Sequence, residues 1–190
     1  NVRILTWKKE FNYSAINNFA VREARGEYLL FLNNDVEIIT ENWLEEMLQL
    51  CQQKDVGMVG AKLYYPDDTI QHAGVVVGLG GVAAHVLCKL PRDAEGYMGR
   101  LRCVQEISAV TAACMMVKTS VFKAVGGFDE ELKVAFNDID LCMKVRKYGV
   151  KIVFTPYAEL YHYESKSRGM EDTPEKQLRF SREVNCFRRK

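Results

Sequence analysis

Tyr28-Leu29-Leu30-Phe31-Leu32 is an uninterrupted apolar run of strand length, and it stops abruptly at Asn33-Asn34-Asp35-Val36-Glu37. A strand with one face in water alternates apolar and polar residues. A continuous run suits a strand buried on both faces, as in a sheet covered by helices on either side. Val56 to Tyr64 reads as a second strand of this kind, and Ile107 to Val117 as a third, built from small apolar residues. Helical patterns separate them. Ser14 is placed to cap a helix near 15–25, with Gly26 as its stop. Thr40 is placed to cap another, in which Trp43, Leu44, Met47, Leu48 and Cys51 share one face and Trp43 belongs to the core. This alternation predicts an α/β fold with a mixed, mainly parallel sheet flanked by helices.

Elsewhere the signals are shorter. Val2 to Thr6 is expected to be a brief strand, and Ile70 to Val77 to be extended. The stretch from Gly78 to Glu106 lacks periodicity and reads as a long irregular segment, a kind of loop that is often functional. A short helix follows Thr119 and ends at Gly126-Gly127; another spans about Asp138 to Tyr148; Ile152-Val153-Phe154 is a strand closed by Pro156. Thr173-Pro174-Glu175 has helix-start chemistry, and Phe180, Val184 and Phe187 give that helix an apolar stripe. The simplest division is one α/β domain over 1–170 and a helical extension over 171–190.

Charge and cysteine usage narrow the function. Lys plus Arg number 26 against 25 Asp plus Glu, a net charge of +1, which excludes a bulk electrostatic nucleic-acid binder. The basic residues Arg179, Arg182, Arg188, Arg189 and Lys190 lack interleaved stacking aromatics, so no nucleic-acid partner is expected. They read as the solvated face of a packing helix, with peripheral contact to an anionic membrane surface as the second reading. The six cysteines form no CxxC pair, and several sit in apolar runs such as Ala112-Ala113-Cys114-Met115-Met116. They read as buried free thiols of a reducing, cytoplasmic compartment. No apolar run approaches the ~20 residues of a membrane span.

Ligands of open α/β sheets sit beyond the carboxyl ends of the strands, where Asp35 and Glu37 lie. Alternate residues in extended backbone place both carboxylates on one side. Such a pair suits a hard divalent cation, Mg2+ or Mn2+, completed by phosphate oxygens. An acidic-x-acidic triplet alone is weak, since solvated turns contain many.

Further motifs accompany it in order: Phe11-Asn12-Tyr13-Ser14-Ala15-Ile16-Asn17-Asn18, Arg25-Gly26-Glu27-Tyr28, Gly126-Gly127-Phe128-Asp129-Glu130, Asn137-Asp138-Ile139-Asp140-Leu141-Cys142 and Tyr161-His162-Tyr163-Glu164-Ser165. Together with Phe31 to Glu37, a DxD-type motif, this series resembles the family 2 glycosyltransferases of the GT-A fold over nearly all of 1–170. Its closest flavour is the bacterial rhamnosyl- and related transferases of surface-polysaccharide assembly. The resemblance implies an inverting, metal-dependent transfer of a sugar from a UDP- or dTDP-linked donor to a saccharide or lipid-linked acceptor, in the cytoplasm or at the inner face of the membrane. It assigns Asp35 and Glu37 to the metal and the donor diphosphate, with His162 as a further metal or diphosphate ligand. Asn17 falls near the donor pocket, and Arg168, with Lys166, in a basic loop that closes on the diphosphate. The family's catalytic base sits in an acidic pair at the start of a late helix. Here that pair is Asn137-Asp138, which leaves Asp138 as the base. Asp140 and His72 fall on the acceptor side, and His85 within the 80–105 loop joins them. The family's opening strand and nucleotide-base loop would precede Asn1, so the sequence reads as N-terminally truncated. Two rivals remain at this level: a nucleotidyltransferase-like enzyme, for which no glycine- and lysine-rich phosphate loop is visible, and a non-catalytic glycan- or partner-binding member of the same fold.

Overall fold

The computed structural model describes residues 2–164 and 173–190. In chain order the elements are α1 (Tyr13–Glu23), β1 (Tyr28–Leu32), β2 (Val36–Ile38), α2 (Trp43–Cys51), β3 (Val56–Tyr64), β4 (Ile70–His72), β5 (Val75–Val77), β6 (Ala83–His85), β7 (Gln105–Glu106), β8 (Cys114–Lys118), α3 (Thr119–Ala124), α4 (Asn137–Lys147), β9 (Lys151–His162) and α5 (Pro174–Arg188). The main sheet has seven strands in the order β1-β8-β3-β9-β2, with β4 added on β3 and β7 on β9; β5 and β6 form a separate antiparallel pair.

Burial on both faces, expected of the Tyr28–Leu32 run, is incomplete there: β1 is an edge strand that buries Leu29 and Phe31, leaves Tyr28 and Leu30 half-buried and exposes Leu32, whereas β3 is covered throughout. All nine positions of β3 are buried. One face of the sheet packs Phe31, Phe122 and Phe128 edge to face with Met58, Phe154 and Leu141. The other buries Trp43, Met47 and Cys51 of α2 against Val59, Leu63 and Leu160. Mixed α/β is therefore the class. The parallel share is smaller than a mainly parallel sheet would have: among the described residues β3 and β9 are the one parallel pair, and every other ladder is antiparallel.

Four local expectations are corrected. Residues 2–6 form no strand; Val2 and Ile4 are exposed, and Arg3 instead pairs with Glu23 of α1 at 2.7 Å. The stretch 107–117 becomes a strand only from Cys114, because 107–113 leave the sheet; there Val75 bonds to the Ala109 carbonyl at 2.9 Å. Pro156 does not close its strand. β9 runs on to His162 through a register shift against β3, so the proline sits where no ladder N–H is required. The α1 cap is Asn12, whose side chain accepts the Ala15 N–H at 3.0 Å, two residues earlier than Ser14. Ser14 is buried and donates to the Leu132 carbonyl. Among the described residues no helix is long and apolar enough to cross a membrane.

Candidate active site

Residues 33–35 carry the chain from β1, at one edge of the sheet, to β2 at the other. The Asn33 N–H donates to the Ala113 carbonyl at 3.0 Å, and the Asp35 carbonyl accepts the Tyr163 N–H at 2.8 Å. The crossover is thereby pinned to the ends of β8 and β9. The Asp35 side chain is 13% exposed, and its Oδ1 lies 3.3 Å from His162 Nε2. That oxygen is buried and has no hydrogen-bond partner among the described residues.

The imidazole beside it has a defined tautomer. Gln71 Nε2 donates to the His162 carbonyl at 3.2 Å and reaches Glu164 at 3.5 Å, so its amide oxygen faces the ring. Gln71 Oε1 is 2.7 Å from His162 Nδ1, which must then carry the proton. Nε2 keeps its lone pair and accepts from Asn33 Nδ2 at 3.1 Å. Burial lowers the His162 pKa below its usual value, against the opposing pull of Asp35 and Glu164. The ring is neutral at neutral pH. Asp35 Oδ1 and His162 Nε2, whose one lone pair the Asn33 amide engages here, therefore lie 3.3 Å apart without a proton between them, and a ligand at Nε2 would displace that amide. A divalent cation fits this gap, and the outer ring nitrogen held by an amide is the usual support of a ligating histidine. Among the described residues no three His, Cys, Asp or Glu side chains converge on one point. The donor set suits a hard ion that takes most of its ligands from phosphate and water.

Glu37 goes elsewhere. It stands opposite Tyr161 in the β2·β9 register, and its carboxylate accepts from the Tyr163 hydroxyl at 2.5 Å. Val36 is the residue opposite His162. The period-two rule presumes extended backbone at both carboxylates, and Asp35 lies in the turn that precedes β2. That turn swings its side chain to His162.

Asp138 occupies the first turn of α4. Its Oδ2 accepts the Ala112 N–H at 3.1 Å and its Oδ1 the Ile139 N–H at 2.8 Å. The Tyr13 hydroxyl donates to the Ala112 carbonyl at 3.1 Å, and burial together with Asp138 raises the Tyr13 pKa. Asn17 is one helical turn further on and donates to the Tyr13 carbonyl at 2.8 Å. His72 is fully enclosed. Its Nδ1 is 2.9 Å from His85 Nδ1, and its Nε2 accepts from the Thr111 N–H at 3.5 Å, so His72 donates to His85. His85 is in the field of Asp138 and Glu164, and His162 in that of Asp35 and Glu164. The base candidate and the Asp35–His162 pair thus belong to one electrostatic neighbourhood. Asp140, by contrast, is committed to ion pairs with Lys144 at 2.8 Å and Lys190 at 2.9 Å. Arg168 and Lys166 lie outside the described residues.

Sequence reasoning missed two supporting residues. Gln71, which sets the His162 tautomer, was visible only as a polar residue inside an apolar extended run. Glu183 of α5, 3% exposed, accepts the N–H groups of Val134 and Ala135 at 2.9 and 3.0 Å. Phe136, the N-cap of α4, holds a left-handed φ of 61° and packs on Phe180 and Phe187. Lys190 completes the attachment through Asp129 and Asp140. The last helix thereby braces the turn that presents Asp138.

Comparison with known proteins bears on the family and the fold. The profile of the glycosyltransferase-like family matches residues 1–183. The uncharacterized protein y4gI of Sinorhizobium fredii is 58% identical over the whole chain, which spans 21% of that relative. The O-antigen biosynthesis protein RfbC of Myxococcus xanthus is 42% identical over 172 residues, 90% of this chain and 14% of the relative. The chain thus covers about a fifth or less of the length of these two relatives. Among solved structures, GalNAc-T7 with UDP, GalNAc and Mn2+ superposes with a TM-score of 0.63 at 12% identity, over 88% of this chain and 33% of that one. The mannosyltransferase PcManGT from Pyrobaculum calidifontis, in complex with GDP-Man and Mn2+, gives 0.57 at 16% identity, over 85% and 39%. These two likenesses show the fold, GT-A. The sequence matches go further, and by them the chain belongs to the glycosyltransferase-like family.

Proposed function

We propose that this chain carries the catalytic face of a metal-dependent, inverting glycosyltransferase, which moves a sugar from a nucleoside-diphosphate donor to a saccharide or lipid-linked saccharide acceptor in surface-glycan synthesis. The observation that carries the reading is the unprotonated gap between Asp35 Oδ1 and His162 Nε2 at the carboxyl end of the sheet. Asp35 and His162 would hold Mg2+ or Mn2+, which when bound offsets negative charge on the departing diphosphate. Gln71 keeps the ligating nitrogen of His162 free of its proton. Asp138, oriented by the Ala112 N–H, takes the proton of the acceptor hydroxyl as that oxygen bonds to the anomeric carbon. The bond from that carbon to the diphosphate breaks on the opposite side, and its electron pair leaves with the diphosphate. A positioned base of this kind contributes about 10²–10⁴-fold.

The departure at Asn137 does not speak for a non-catalytic module. Its amide donates to the Val134 carbonyl at 3.0 Å and its side chain is buried, so it closes the turn before α4. Glu37, on the other side of β2, is left as a donor-side candidate bound through Tyr163.

Calorimetric titration of UDP and dTDP, with and without Mn2+, tests the reading. Metal-dependent binding is expected in the parent, with loss in Asp35→Asn and in His162→Phe. Asp138→Asn should keep donor binding and lose transfer by about 10²-fold or more. Donor binding that ignores Mn2+, or transfer at the parent rate in Asp138→Asn, overturns it.

A further inference from the structure

A cleft of about 980 Å3 opens between β3, β9 and the loops at 67–69 and 91–102. Neither Asp35, His162 nor Asp138 lines it, so it is separate from the site described above. Its wall holds a buried cation. Lys62 is 4% exposed, and its ammonium makes one hydrogen bond among the described residues, to the Leu101 carbonyl at 3.3 Å. An ammonium has three N–H donors. Burial lowers the Lys62 pKa, against the opposing field of Glu159. No carboxylate lies within ion-pair distance of Lys62 among the described residues, although four acids line the cleft: Asp67, Asp68, Asp93 and Glu159.

Those acids are engaged elsewhere or lie at the rim. Glu159 accepts from the Tyr64 hydroxyl and pairs with Arg92 at 3.4 Å. Asp68 accepts from the Tyr161 hydroxyl and pairs with Arg92 at 3.5 Å. Arg102 is paired with Glu95 at 3.0 Å. Lys62, whose ammonium also lies 5.3 Å from the Tyr64 ring centre, is the cation of the wall with no carboxylate partner among the described residues. A methionine of the same length would fill its place without the desolvation cost, and replacing buried charge by apolar volume is often neutral or stabilising. A buried charge that costs stability and faces a cleft marks a site kept for a ligand.

The rest of the wall says what kind. The Arg92 guanidinium lies 5.0 Å from the Tyr64 ring centre and 6.0 Å from that of Tyr161, so its plane is fixed, and its pairs with Glu159 and Asp68 present donors and acceptors side by side. Alternating donors and acceptors match vicinal hydroxyls. Tyr157 is 52% exposed at the mouth, and its hydroxyl donates to the Arg102 carbonyl at 3.1 Å, which leaves a fixed aromatic face for a sugar ring. The volume is within the range that encloses small ligands. We propose that this cleft binds an anionic saccharide, its carboxylate or phosphate on Lys62 and its ring against Tyr157.

Amide NMR titration of the chain tests this with four probes: glucuronate, glucose 6-phosphate, glucose and acetate. The two sugar anions should shift the amides of Thr69, Leu101 and Tyr157 saturably, with glucose and acetate at least tenfold weaker, as expected when a charge-assisted bond is absent or stands alone. Lys62→Met should melt at or above the parent temperature and lose the preference for the sugar anions. Tyr157→Ala, at an exposed position, should weaken glucuronate in a chain that folds as the parent does. Absence of saturable shifts at these amides overturns the proposal, as does an unchanged glucuronate response in Lys62→Met. Acetate binding as tightly as glucuronate overturns the saccharide assignment.

Discussion

Glu183→Ala should loosen the turn that presents Asp138, and the size of the effect follows from the contacts. The parent carboxylate accepts two N–H groups, from Val134 and Ala135, at 2.9 and 3.0 Å, from a side chain that is 3% exposed. A hydrogen bond to a charged group is worth about 1.5–3 kcal/mol. Both amides belong to half-buried residues, so water recovers part of the loss in the variant. The expected cost is then about 2–3 kcal/mol, or a fall in Tm of roughly 4–12 °C for a chain of this size. Glu183→Gln keeps one accepting oxygen and should lose about half as much. The same carboxylate holds Phe136 at its left-handed φ of 61°, a conformation that costs an ordinary residue about 1–2 kcal/mol. Loss of the brace lets that turn relax, so hydrogen exchange at Val134, Ala135 and the first turn of α4 should accelerate well beyond exchange in β3. Scanning calorimetry and exchange mass spectrometry read the two effects. A Tm within about 2 °C of the parent, with unchanged protection over 134–140, would refute the reasoning and return α5 to the status of an appendage.

Three further outcomes are expected. Gly74→Ala should destabilise by about 2–4 kcal/mol in urea melts, since Gly74 has a φ of +103° and an added Cβ would stand 1.7 Å from Ile107 Cδ1. In the folded chain at pH 8, iodoacetamide should alkylate the exposed Cys103 and spare Cys51, Cys114 and Cys142, which are buried; burial pushes Cys51 to about 11 and Cys114 to about 12. Burial, with His85 and His162 nearby, holds His72 well below its ordinary pKa, so the unfolded chain binds the proton first and stability should fall as pH drops below about 6.5. Urea midpoints between pH 7.5 and 5 should therefore slope less in His72→Gln than in the parent, and equal slopes would refute the assignment.

What the sequence revealed and what it hid divide along one physical line. β1, β3 and the helices α2, α4 and α5 were legible because each is fixed by residues within a few positions of one another: an apolar run, a helical stripe, a cap such as Thr173, whose hydroxyl accepts the Lys176 N–H. Pro156 was misread because a proline is a stop only where its N–H is needed, and the register shift in β9 removes that need. The placing of Glu37 beside Asp35 was misread for a related reason. A single turn residue breaks the alternation on which the pairing with Glu37 rested.

The groups that make the site chemically specific are long-range. Gln71 meets His162 across 91 positions, Glu183 meets Val134 across 49, and Asp138 meets Ala112 across 26. Local pattern says nothing about such contacts, since a glutamine in a strand and a glutamate on a helix face are unremarkable where they stand. Strand β9 carries one of these residues, His162. Its end aligns His162 with Val36 and so with Asp35, while its earlier residues Pro156, Tyr157 and Glu159 line the Lys62 cleft. Neighbouring residues of one strand point to opposite sides. A single-residue slip of β9 would therefore turn the His162 side chain away from Asp35. The parallel β3·β9 ladder, which pairs Leu63 with Leu160 and Tyr64 with Tyr161, fixes the register in which His162 meets Asp35.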